Sequence, residues 1–200
     1  LPGKESPHGV EGLVLKPNPP VLDRDVQDFI HIADPHVLRK DGRYHMWYTS
    51  FSREAKSTRT HLAIAYATSD DGIRWTKHGI VLKPELPWEV ARGEPNVGRP
   101  YVIWTNRRFE MFYDAVKDDD NPDKNTAMGV GFAWSNDGKV WRKEPQPVFV
   151  TNYSRGERRG LHIGGGVLLK NGMYHLYYVG ADPDWQRYSI NLATSPLHKP

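Results

Sequence analysis

Three stretches of this 200-residue chain are variations on one pattern: "DPHVLRKDGRYHMWYTS" (34–50), "RPYVIWTNRRFEMFYDA" (99–115) and "GGVLLKNGMYHLYYVG" (165–180). Tyr44, Phe109 and Tyr174 head the second run of each copy and are evenly spaced (109 − 44 equals 174 − 109). Met46, Met111 and Leu176 repeat at the same interval, then Tyr48, Tyr113 and Tyr178. Large side chains at every second position suit an extended strand, whose side-chain period is two, and predict half-buried strands. A third run comes next in each copy: "LAIAYATS" (62–69), "MGVGFAWS" (128–135) and "INLATS" (190–195). In the first two copies an Asp-Gly turn then leads into a fourth strand bearing Trp75 or Trp141. Four antiparallel strands per copy, repeated radially, predict an all-β fold: a β-propeller with about three blades in this chain. No convincing amphipathic helix interrupts the pattern.

The blades fall at about 28–84, 93–150 and 158–200, within one propeller domain. The third copy stops at Pro200, before a fourth strand of its own. At the other end, "GLVLKP" (12–17) nearly duplicates "GIVLKP" (79–84), so residues 10–22 read as a closing strand. Propellers have about four to eight blades, so three leave the ring short. Two expectations follow: the chain is part of a longer propeller, or copies self-associate to complete one. The chain opens on Leu1 rather than Met, consistent with removal of an upstream signal or tag.

Composition narrows the partners. The 27 Lys and Arg against 24 Asp and Glu leave a net charge of +3, with both signs mixed along the chain. That argues against a nucleic-acid stripe. No apolar run approaches the roughly 20 residues of a membrane span. Without cysteine there is neither a disulfide framework nor thiolate chemistry. Seven Trp and ten Tyr in so polar a chain suit wedge-shaped cores and surfaces that stack on sugars.

Strand direction places the candidate chemistry. In an up-and-down blade the first strand begins on the face where the second ends, so entries and exits share one rim. The entries carry Asp34, Glu94, Arg99 and His162; the exits carry Asp114, Asp182, Trp185 and Arg187. The polar loops at 51–60 and 116–126 lie on the same rim, as binding loops on a rigid scaffold do. The Asp41-Gly42 and Asn171-Gly172 turns fall on the opposite rim.

Through "ADPHVLRKDGRYHMWYTS", "IAYATSDDGIRW" and "YYVGADPDWQRYSINLATSP" the chain resembles the five-bladed propeller glycoside hydrolases, the superfamily of arabinanases, β-xylosidases, invertases and levansucrases. The resemblance implies that the Asp of an Asp-Pro pair opening the first blade is base or nucleophile; Asp34 alone matches. Glycosidic cleavage needs a second carboxyl to protonate the leaving oxygen. Glu94, in "GEPNVGRP", is the candidate acid, and Asp114 is the candidate third acid that supports it. Arg99, His162, Asp182, Trp185 and Arg187 are candidates for holding substrate, Arg99 through its planar fork and Trp185 as a stacking platform. No metal and no cofactor are expected. "SDDGIRW" and "SNDGKVW" also resemble the Asp-boxes of six-bladed sialidases, but no arginine cluster with a nucleophilic Tyr accompanies them. Two other classes stay open: a carbohydrate-binding propeller without catalysis, and a propeller whose rim engages protein.

Overall fold

The computed structural model describes residues 14–16, 31–53, 60–91, 94–115, 129–150, 159–181 and 187–197; at 53, 60, 91, 94–95, 159–165 and 181 it describes the backbone alone. The fold is all-β, built from antiparallel blades. Blade 1 is a four-stranded sheet in sequence order: β1 (His31–Lys40), β2 (Arg43–Arg53), β3 (Thr60–Ser69) and β4 (Thr76–Leu82). A 3-10 turn at Pro87–Glu89 and a small hairpin, β5 (Val90–Ala91) with β6 (Glu94–Pro95), lead onward. Blade 2 comprises β7 (Val97–Trp104), β8 (Phe109–Ala115) and β9 (Gly129–Ser135), edged by β10 (Arg142–Lys143) and β11 (Phe149–Val150). Blade 3 has β12 (Arg159–Lys170), β13 (Met173–Ala181) and β14 (Tyr188–Pro196). No helix among the described residues is long and apolar enough to cross a membrane.

The even spacing of the three copies is a packing code. Met111 and Tyr113 on β8 turn back to blade 1, where they join Trp47, Ile64, Tyr66 and Leu82 in one core cluster. Phe112, between them, turns forward and packs with Phe132, Tyr174, Leu176 and Tyr178. The alternation therefore addresses two neighbours, and every residue of β8 is buried. The half-buried expectation fails here for a simple reason: an inner blade is covered on both faces.

Two further details differ from expectation. Trp75 and Trp141 precede their strands and fold back over the turns, each indole N–H donating to a turn carbonyl, that of Gly72 or Gly138, at 3.1 Å. The fourth strand of blade 2 is two fragments on the same edge of β9, because Pro145 and Pro147 interrupt it without an N–H to donate.

Of the proposed closing strand, only Val14, Leu15 and Lys16 are described, and they are not in a strand; the rest of 10–22 lies outside the described residues. Leu15 packs on the face of blade 1 that looks away from blade 2, against the cluster of Met46, Tyr48, Ala65 and Ala67. At the far end of the chain, blade 3 has an open face. Ile190 and Leu192 are 81% and 49% exposed, whereas Ile64 and Tyr66, at the same register in blade 1, are 0% and 1%.

Buried ionic posts brace the blades, one tying the connection between blades 1 and 2 to blade 2 and the other tying blade 2 to blade 3. Glu89 is fully buried and accepts from the Glu85 and Leu86 amides (2.7 and 2.9 Å), the Tyr113 hydroxyl (2.7 Å) and Lys143 Nζ (2.7 Å). Burial and this carboxylate push the Tyr113 phenol above its usual range. Glu110 accepts from Arg108 Nε at 2.9 Å and, across to blade 3, from the Tyr174 hydroxyl at 2.6 Å. Removing one partner would strand a buried charge, which is far more damaging than losing a surface pair.

Candidate active site

The candidate site is built on a defect that blades 1 and 2 share. Along β1, Ala33 pairs with Thr49 and His36 with Trp47, so Asp34 and Pro35 together oppose Tyr48. Along β7, Gly98 pairs with Asp114 and Tyr101 with Phe112, so Arg99 and Pro100 together oppose Tyr113. Each is a β-bulge, and each places proline where a ladder hydrogen bond is already lost. The bulge residues take the left-handed conformation, Asp34 at φ 50° and Arg99 at φ 49°. For residues with a Cβ this costs about 1–2 kcal/mol. Strain of this kind concentrates at functional sites. Blade 3 has an irregularity in the same place, between His162 and Gly166.

The two bulges converge on one small recess lined by Asp34, Thr49, Asn96, Gly98, Arg99 and Asp114, with Leu62 and Ala115 beside them. Asp34 is exposed. The buried Thr49 hydroxyl donates to Asp34 Oδ2 at 3.0 Å and accepts the Arg99 amide at 2.8 Å. Arg99 Nη1 stands 3.7 Å from Asp114 Oδ2, with the Arg99 side chain 42% exposed and that of Asp114 2%. Gly98 leaves room for Thr49, since a Cβ there would lie a tight 3.0 Å from Thr49 Oγ1 and Cγ2. A guanidinium held beside Asp114 can grip a hydroxyl or an anion in the recess that Asp34 also lines. The recess offers about 30 Å³ of space, enough for a water and too little for a sugar ring. A larger cavity between blades 2 and 3, lined by Phe112, Phe132, Phe149, Tyr174 and Leu176, has no charged group among the described residues and is a packing seam.

Two residues past Asp34, His36 serves as a strut. It packs against Tyr101 with the rings tilted by 43° and centroids 4.2 Å apart, and its Nδ1 accepts the Val102 amide at 3.2 Å. Burial pushes its pKa down to about 4, so the ring is neutral at physiological pH and its Nδ1 is engaged.

Of the residues named from sequence, Asp34, Arg99 and Asp114 meet in the recess. Glu94 pairs with Ala91 through its backbone in the β5–β6 hairpin, and His162 with Val179; their side chains lie outside the described residues. Asp182 and Trp185 also lie outside them. Arg187 is exposed, just before β14, and does not line the recess. Sequence reasoning missed Thr49, Asn96 and Gly98. For Thr49 a signal existed: it stands as far beyond Asp34 in the chain as Asp114 stands beyond Arg99 (49 − 34 equals 114 − 99).

No protein-family model matches the chain. A 1,2-beta-oligomannan phosphorylase of Thermoanaerobacter sp. is 26% identical over 165 residues, 82% of this chain and 48% of that protein. A Psychromonas ingrahamii protein named "Probable sucrose-6-phosphate hydrolase" is 32% identical over 93 residues, 46% of this chain and 16% of its own length. The chain thus spans half or less of these curated relatives. Among solved structures, a family 117 glycoside hydrolase from Zobellia galactanivorans matches with a TM-score of 0.62 at 19% identity, over 82% of this chain and 52% of that one. A beta-1,2-mannobiose phosphorylase from Listeria innocua matches with a TM-score of 0.59 at 14% identity, over 84% of this chain and 42% of that one. Repeat and blade topology agree with these likenesses, and the chain carries a β-propeller fold like that of these glycoside hydrolases and phosphorylases.

Proposed function

We propose that this chain carries the catalytic face of an enzyme that cleaves glycosidic bonds in oligo- or polysaccharides by paired carboxylates. Asp34 is the base or nucleophile and Glu94 the acid; Asp114 holds Arg99 on the substrate. His162, Asp182, Trp185 and Arg187 contribute to sugar binding from the same rim. The observation that carries this reading is the exposed Asp34 carboxylate, set by a strained bulge and a buried hydroxyl beside a cation. An acid held in a drier place keeps its proton for the leaving oxygen while its partner stays ionised. A separation of roughly 5–5.5 Å between the two carboxyls gives retention, and roughly 6.5–9.5 Å gives inversion.

The relatives include a phosphorylase, so the bond can pass to phosphate or to water; Arg99 suits either, as a grip on an anion or on a sugar hydroxyl. The test incubates the chain with β-1,2-mannobiose, longer β-1,2-oligomannosides and sucrose 6-phosphate, each with and without inorganic phosphate, and separates the products. Products only with phosphate mean phosphorolysis; products in both conditions mean hydrolysis. Binding without products would replace this reading with that of a carbohydrate-binding propeller, and neither binding nor products would overturn it.

A further inference from the structure

Beyond the carboxylates, the bulges carry a second repeated feature. Each bulge residue has a partner at one fixed separation along the chain, on the neighbouring strand: Asp34 has Thr49, and Arg99 has Asp114. The same separation in blade 3 joins Gly164 to Val179 (179 − 164). The chemistry is matched pair by pair. A carboxylate goes with a hydroxyl, a guanidinium with a carboxylate, and a glycine, with no side chain to hold, with an aliphatic residue.

We infer that Thr49 is a positioning residue: its hydroxyl fixes the Asp34 carboxylate and couples it to the second bulge. A hydroxyl has a single proton. The Arg99 amide can only donate, and it reaches Thr49 Oγ1 at 2.8 Å. Thr49 Oγ1 in turn donates its proton to Asp34 Oδ2, 3.0 Å away. The contact orients one oxygen of the Asp34 carboxylate. Thr49 is fully buried. Its methyl and hydroxyl rest against Gly98, the residue immediately before the second bulge. A shift of the Arg99 backbone would thus be felt at Asp34 through one oxygen atom, so substrate gripped by Arg99 and the carboxylate that attacks it are set by the same atom.

The inference rests on the reading of Asp34 as the catalytic carboxylate, and the experiment separates the two. Wild type, Asp34→Asn, Thr49→Val and Thr49→Ser are assayed on whichever of the substrates named above wild type cleaves, with and without phosphate, with thermal unfolding as a check on folding. A misplaced catalytic group slows turnover far more than it weakens binding. Thr49→Val keeps the shape without the hydroxyl and should lower kcat by about 10- to 100-fold, with KM within about threefold of wild type. Thr49→Ser restores the hydroxyl and should recover most of the rate. If Thr49→Val fails to fold, Thr49→Ala, which adds no bulk, takes its place with the same expectation. Should Asp34→Asn abolish turnover while Thr49→Val matches wild type, or should Thr49→Ser fall as far as Thr49→Val, the positioning role is overturned and the assignment of Asp34 stands. Should wild type not turn over, or Asp34→Asn remain active, the assignment of Asp34 falls, and this inference with it.

Discussion

Blades 1 and 2 repeat each other on both rims, with opposite results. At the turn between third and fourth strands, Ser69, Asp71, Gly72 and Trp75 are matched one for one by Ser135, Asp137, Gly138 and Trp141. The hydrogen bonds match too. Each serine accepts the glycine amide at 2.9 Å, and each aspartate Oδ1 accepts two following amides at 2.7–2.9 Å. Those amides hold both aspartates below the usual carboxylate range. At the inner-strand bulge the backbone is just as faithfully repeated, φ 50° against φ 49°, yet one copy carries Asp34 and the other Arg99. Where a repeat has only to hold itself together, backbone and side chain are both kept. Where copies surround a shared recess, the backbone stays and the side chains diverge, as the proposed division of labour on one substrate requires.

The largest expected effect is at the divergent position. Asp34→Asn should lower turnover of any cleaved glycoside by at least about 10²–10⁴-fold, the usual range for losing an acid–base group. Arg99→Lys keeps the charge but loses the fork, and should act mainly on KM; steady-state kinetics distinguishes them. If both variants lower kcat alike with KM unchanged, the bulges do not divide the labour as described.

The turns sharpen the comparison from the other side. Gly138 and Gly72 share φ 75° and 76°, but a Cβ on Gly138 would meet Trp47 of blade 1 at 2.9 Å, whereas one on Gly72 has Tyr44 at 3.6 Å. Gly138→Ala should therefore destabilise by about 2–5 kcal/mol, summing backbone strain and overpacking, and Gly72→Ala by about 1–2 kcal/mol from strain alone. Urea denaturation gives both numbers. Equal losses would mean that the second turn does not lock the blades through Trp47, whose indole N–H donates to the Gly138 carbonyl at 2.9 Å.

Acid should loosen the blade 1–blade 2 contact near the bulges. The folded-state pKa of His36 lies near 4, below its ordinary value of 6.5, so the unfolded chain takes up the proton first as pH falls. This contribution is fully present above about pH 6.5 and is lost as the pH falls toward 4. On the order of 2 kcal/mol is expected. His36→Gln should flatten that dependence in unfolding curves recorded between these pH values; an unchanged slope would contradict it. Smallest is the paired change Ser69→Ala and Ser135→Ala. Each should remove about 1 kcal/mol, equally in the two blades, because each serine makes the same bonds.

How much could be read beforehand follows the same division. The even spacing of the copies, the third strands and the Asp-Gly turns were legible because their signals are local: alternation, turn residues and aromatic spacing. That Asp34, Arg99 and Asp114 share one rim was legible too, since strand direction alone puts entries and exits together; that these three line one recess was not. Burial of β8 on both faces was not, because alternation does not say how many neighbours a strand has. The Glu89 network was invisible for a different reason: its partners Tyr113 and Lys143 lie 24 and 54 residues away. The break in the fourth strand of blade 2 was missed, although Pro145 and Pro147 carry its signal: their missing amides outweigh the pattern around them. Thr49 was hidden by its ordinariness, a threonine in a strand, until its pairing with Asp34 was compared with that of Asp114 and Arg99.

The most direct test is a structure of the slowed Asp34→Asn variant with a bound oligosaccharide, β-1,2-mannobiose being the first choice. The account predicts a glycosidic carbon, or the water poised to attack it, within about 3.5 Å of the residue 34 side chain, with Arg99 on the same sugar. Sugar bound only at the opposite rim, by the Asp-Gly turns, or with its glycosidic carbon too far from residue 34 for attack even through one bridging water, would contradict it.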